Sequence, residues 1–214
     1  MIQLHRGYLQ NMRLMAGLRA ADRRLTKQVA SWDPRRVGRP LSAVEETAES
    51  AKLWCGAAVL MACLGGGRGR RAAAAGLTAL SLAQLTSNAV CKQLADRPRP
   101  PKEWIPHNEV EDRPDSSSYR SGHTASAVAF TAAITPAWPL AGAACAIPAA
   151  MVAVERVHSG AHYPSDVAAG AAIGLASAWL TRRTPHLLRH RRSRTRGIQR
   201  SVPRMVSGLV MPRG

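Results

Sequence analysis

The chain has 214 residues, room for one domain with flanking segments. Thirty Lys and Arg stand against thirteen Asp and Glu, a net charge of +17, which points to a phosphate-rich partner: nucleic acid, anionic lipid or a phosphorylated substrate. Aromatic residues make up 4%, with Phe130 the one phenylalanine, so the composition speaks against a large soluble core and for Ala- and Gly-mediated helix packing of the kind used in lipid. The mean hydropathy of −0.15 hides this, because charge gathers toward the two ends.

Residues 1–50 form a basic N-terminal segment. Its first thirty residues hold no long apolar run, which predicts no cleavable signal peptide. Leu9, Met12, Met15, Leu18, Leu25, Val29 and Trp32 recur at spacings of three, four or seven, and Arg13, Arg19, Arg23, Arg24 and Lys27 mostly fall off that line. The pattern predicts an amphipathic helix that lies on an anionic membrane surface or packs against the outside of a bundle.

Residues 51–181 contain long uncharged runs, read as helices over about 51–67, 72–92, 122–136, 139–157 and 164–181. The run from Thr124 to Val154 is too long for one crossing and is broken at Pro136-Ala-Trp-Pro139, where proline ends one helix and opens the next. A crossing needs about 20 mostly apolar residues. The expected fold is therefore all-α: an integral membrane bundle of about five core transmembrane helices preceded by the amphipathic helix. A soluble Ala-rich bundle is the alternative. Trp54, Trp138 and Trp179 fall near predicted helix ends, as an interfacial belt would place them. Cys55, Cys63, Cys91 and Cys145 sit in apolar stretches without a CxxC pair and read as buried reduced thiols.

Residues 182–214 carry ten Arg and no acid. This tail cannot build a core and is expected to be disordered, touching lipid headgroups. No stacking aromatics accompany its arginines, so nucleic acid is not the expected partner.

Three polar clusters fall in loops or at helix ends: Lys92 to Pro100, Arg120-Ser121-Gly122-His123, and Glu155 to Asp166. The helix count brings all three to one membrane face. Lys92, Arg99 and Arg156 are fixed cations of the kind a phosphoryl group requires. Ser121 and Gly122 lie at a helix N-terminus, where free N–H groups favour an anion. His162 and Asp166 are four residues apart, a spacing that lets the carboxylate hold one ring nitrogen and leaves the other as a nucleophile. His123 can protonate a leaving oxygen. His158 is an alternative nucleophile, and His158, His162 and Asp166 are potential metal ligands; the surrounding cations argue against a metal.

The order and spacing of these residues resemble the three-part signature of the type 2 phosphatidic acid phosphatase family: Lys-x6-Arg-Pro, Pro-Ser-Gly-His and Ser-Arg-x5-His-x3-Asp. Lys92, Arg99 and Pro100 complete the first part; Arg120 replaces the proline of the second and Glu155 the serine of the third. The resemblance implies that Lys92, Arg99, Ser121, Gly122 and Arg156 bind phosphate, that His162 is the nucleophile, His123 the general acid and Asp166 the orienter of His162. It implies no metal and no cofactor, and a lipid phosphate or polyprenyl (di)phosphate as substrate, hydrolysed through a phosphohistidine. A vanadate-dependent haloperoxidase and a non-enzymatic basic membrane- or nucleic-acid-binding protein are the rival readings. Basic loops predict a cytoplasmic C-terminus and an active site on the outer face of the cell membrane.

Overall fold

The computed structural model describes residues 2–33, 38–49, 51–87, 97–106 and 121–200. Among them no strand occurs. Seven helices follow one another: α1 (Ile2–Ala30), α2 (Arg39–Glu49), α3 (Lys52–Leu64), α4 (Gly66–Leu85), α5 (Gly122–Ile134), α6 (Pro139–His158) and α7 (Pro164–Arg200), with a single 3-10 turn at Lys102–Trp104. The chain divides into a unit of residues 1–181 and a unit of residues 182–214; all packing described below lies within the first.

α3, α4, α5 and α6 pack in sequence order, and their core is built from small residues around a few large ones. Trp54, Met61, Phe130 and Ile134 form the bulky part. The rings of Trp54 and Phe130 lie 5.4 Å apart, tilted by 44°, a geometry aromatic pairs favour. Trp54 is therefore a core residue, not part of an interfacial belt; its indole fills space that the short side chains of α4 and α5 leave open. Gly76 is part of the same fit, since a Cβ there would lie 2.8 Å from both Phe130 and Ile134.

A second seam joins α5 to α7. Ala125, Ala129 and Ala133 on α5 repeat every fourth residue, as do Gly170, Gly174 and Ala178 on α7. A Cβ on Gly170 would stand 2.5 Å from the Ser121 carbonyl oxygen, and one on Gly174 the same distance from that of Ala125. Backbone thus meets backbone, as small-residue repeats permit.

The outside of the bundle is apolar. Val59, Leu60 and Leu64 on α3, Leu140 and Ile147 on α6, and Leu175, Trp179 and Leu180 on α7 are all exposed. Cys55 and Cys63 belong to this outer face of α3 and are exposed free thiols, contrary to the burial expected from their apolar neighbours. Among the described residues α6 is the one helix long and apolar enough to cross a bilayer by length and composition; α3 is apolar but has 13 residues. At 1.5 Å per residue α3 extends about 20 Å, short of a hydrocarbon core of about 30 Å.

The ends of the chain depart from the sequence reading. At the N-terminal end α1 covers the stretch read as an amphipathic helix, and α2 adds a second helix over Arg39–Glu49. Met12, Met15, Leu18 and Leu25 on α1 and Trp32 just after it are exposed, whereas Asp22, Thr26 and Ala30 are buried. α7 runs on to Arg200, beyond the point where the Arg-rich tail was expected to lose structure; arginine and leucine are good helix formers.

Candidate active site

α5, α6 and α7 each bring one end to the same place. Ser121 caps α5: its Oγ accepts the Thr124 N–H at 3.3 Å and the Thr124 hydroxyl at 2.9 Å, the service a serine N-cap provides. The Ser121 hydroxyl, accepting both, retains its own hydrogen to donate. The Ser121 N–H donates to the Asp166 carbonyl at 3.3 Å, which ties the start of α5 to the start of α7.

α6 ends at His158, and two residues later Gly160 has φ of 66°, a conformation that glycine adopts without a Cβ clash. The reversal lets the His162 N–H close onto the Arg156 carbonyl at 2.8 Å. His162 is thereby folded back toward the last turn of α6 and is nearly buried. The Arg156 Nε donates to Glu155 Oε2 at 2.7 Å. Arg156 is also close enough to His123 for its charge to act on that imidazole, so the second and third clusters face each other.

The segment 97–100 lies across this loop. Arg99 donates to the Ala161 carbonyl at 2.7 Å, one residue before His162. Arg97 donates to Ser165 Oγ at 2.8 Å, to Asp166 Oδ1 at 2.7 Å and to Asp22 Oδ2 at 2.8 Å. Its guanidinium also stacks 4.0 Å above the Tyr163 ring. Burial alone would lower the Arg97 pKa, but hydrogen bonds and charge from Asp22 and Asp166 outweigh it and raise the value above that of an ordinary arginine. Asp22, on α1, closes the ring: its Oδ1 accepts the Ser165 N–H at 3.0 Å and its Oδ2 the Ser165 hydroxyl at 2.6 Å.

Asp166 is fully buried. Its Oδ1 faces Arg97, and its Oδ2 accepts the Tyr163 N–H at 3.0 Å, a reciprocal cap across the first turn of α7. Through these bonds the carboxylate fixes the loop that carries His162. The structure thus gathers Arg99, Ser121, Gly122, His123, Arg156, His162 and Asp166 at one end of the bundle. Lys92 and Arg120 lie outside the described residues. Among the described residues no three His, Cys, Asp or Glu side chains cluster as a metal site requires.

The model of the PAP2 superfamily matches residues 72–189, more than half of the chain and all of these helix ends. The chain belongs to the PAP2 superfamily. Among solved structures, it is similar to the first transmembrane PAP2-type phosphatidylglycerolphosphate phosphatase from Bacillus subtilis, with 19% identity, a TM-score of 0.59, and coverage of 93% of this chain and 96% of that one. None of the curated proteins compared matches the chain. Superfamily membership supports a phosphatase, and the structural likeness shows the fold.

Two residues of this PAP2 site escaped the sequence reading. Arg97 stands two residues before the expected phosphate ligand Arg99, and the doubled Arg-Pro of Arg97-Pro98-Arg99-Pro100 was the available signal. Asp22 had none. It is 143 residues from Ser165 and stands on the same helical line as Met15, Leu18, Leu25 and Val29, where the pattern drew attention to the apolar side chains.

Proposed function

We propose that this PAP2 protein is a membrane-embedded lipid phosphatase that works through a phosphohistidine on His162. The observation that carries the reading is the convergence of Arg99, Arg156, His123 and the α5 N-terminus on the loop holding His162. Lys92, Arg99, Arg156, the Ser121 hydroxyl and the N–H groups at Gly122 cradle the phosphoryl oxygens. A ring nitrogen of His162 attacks phosphorus and the ester P–O bond breaks. His123 gives its proton to the departing oxygen. Water then attacks the phosphohistidine, losing a proton to His123, and releases phosphate and free His162. Asp166 contributes by holding the His162 loop. The fixed cations supply the charge that a metal otherwise brings, so activity is expected to survive EDTA; chelator inactivation reversed by a divalent ion would overturn that part.

The lipid part of the reading has its own support. The exposed apolar side chains of α3, α6 and α7 suit hydrocarbon as solvent. A cavity of about 470 Å3 between α5, α6 and α7 is lined almost wholly by apolar atoms and opens beside Thr124 and Pro164, neighbours of His123 and His162. It offers a substrate's hydrocarbon chain a place next to the reacting phosphate. The substrate is a lipid phosphate or polyprenyl (di)phosphate, with anionic membrane lipids around the basic ends. Arg68, Arg70 and Arg71, in the first turns of α4, and the Arg tail are assigned to the cytoplasmic side and the active site to the outer face, by the rule for basic segments flanking membrane spans.

The test is phosphate release by the purified protein from a panel of lipid phosphates, alongside His162→Ala. The wild type is expected to turn over at least one lipid, and the variant to remain folded while losing turnover by about 1,000-fold or more, the scale on which lost nucleophiles register. Phosphate release by His162→Ala at the wild-type rate would remove the nucleophile assignment.

A further inference from the structure

α1 turns one side to the bundle. Asp22, Thr26 and Ala30 on that side are buried. By helical spacing Arg19 and Arg23 point the same way, yet both are exposed. They are exposed because α1 there borders an open cavity of about 510 Å3, lined by Arg19, Arg23, Arg97, Pro98, Trp104 and Tyr163. Arg23 stacks on the Trp104 ring at 5.4 Å, which holds its guanidinium at the cavity wall. The charge of Arg97 is balanced by Asp22 and Asp166. Among the described residues no acidic side chain bonds Arg19 or Arg23. The cavity wall includes Tyr163, the residue directly after His162, and α1 is held against it by the Asp22–Ser165 and Asp22–Arg97 bonds.

We propose that Arg19 and Arg23 form an anion subsite for the part of a lipid headgroup beyond the scissile phosphoryl group. The inference rests on the phosphatase reading and deepens it: the preferred substrate carries a second phosphate. Arginine forks match phosphate oxygens in pairs, and a cavity of this size beside the nucleophile's loop has room for a headgroup segment. Met12, Met15 and Leu18 of α1 are exposed, which suits the same helix to the level where headgroups meet hydrocarbon. The second phosphate has two sources: the adjacent one of a diphosphate, or a phosphodiester elsewhere in the headgroup.

Three probes separate these sources in neutral detergent micelles, with the full chain: phosphatidate with one phosphate, a polyprenyl diphosphate, and phosphatidylglycerol phosphate with a phosphodiester and a terminal phosphate. The double variant Arg19→Gln/Arg23→Gln is compared with Arg13→Gln/Arg24→Gln, which removes the same charge from α1 away from the cavity. The cavity variant is expected to lose kcat/KM on one two-phosphate probe by about tenfold more than on phosphatidate, the worth of one charge-assisted contact. Which probe suffers identifies the source. Equal losses on all three probes, no loss, equal effects of the two double variants, or a wild type that cleaves phosphatidate alone would each overturn the subsite and leave the phosphatase reading standing. A wild type that releases phosphate from none of the three would remove that reading, and the subsite with it.

Discussion

The two contacts that assemble this site are of opposite kinds. The seam between α5 and α7 is a fit of shape: Gly170 and Gly174 let backbone touch backbone, and no charged group takes part. The contact between α1 and the His162 loop is a fit of charge: two carboxylates, one guanidinium and a serine share a few ångströms. The first tolerates no added atom but is indifferent to pH and salt. The second has ample room beside it and depends on each of its charges, because removing one partner leaves the others buried and unmatched.

The seam is where the largest effect is expected. Gly170→Val sets a side chain against the Ser121 carbonyl, and a backbone oxygen cannot swing aside as a side chain can. The destabilisation should exceed the roughly 1–3 kcal/mol typical of overpacking, with activity and folded yield lost together. A variant with wild-type thermal stability in detergent would show that the helices can separate there. Next comes Asp22→Ala, expected to cost about 1–3 kcal/mol, because Ser165 loses its acceptor while the part-exposed Arg97 keeps Asp166, with kcat falling because the His162 loop loosens. A double-mutant cycle with Arg97→Met should return a coupling of about 1 kcal/mol or more; additivity would mean that α1 merely rests on the bundle. The smallest effect belongs to the outer face. Cys55→Ser/Cys63→Ser should change stability by about 0.5 kcal/mol or less, as surface substitutions do, and a loss several times larger would place these thiols inside an interface.

Much of the centre could be read in the sequence because its determinants are local. Pro139 and Pro164 open helices, Ser121 is a cap, and Arg156, His162 and Asp166 are spaced so that one turn and one glycine bring them together. The contact with α1 could not be read because nothing local encodes it. Asp22 meets Arg97 and Ser165 across 75 and 143 residues, and the hydrophobic periodicity of α1 does not say that a carboxylate on its line will find those partners. The fate of Asp166 was hidden for a related reason. A four-residue spacing to His162 says nothing of the helix cap that Asp166 forms on Tyr163 or of Arg97, which reaches it from another loop. Trp54 failed similarly: position near a helix end says nothing about which side of the helix will face Phe130.

The tether through Asp22 also orders events in time. The residues it holds are 143 positions apart, so a ribosome adding about 5–20 residues per second makes α1 roughly 7–30 s before Ser165 exists. Throughout that interval Asp22 lacks its partner Ser165. The active site therefore closes last, when α7 meets the segment that was synthesised first.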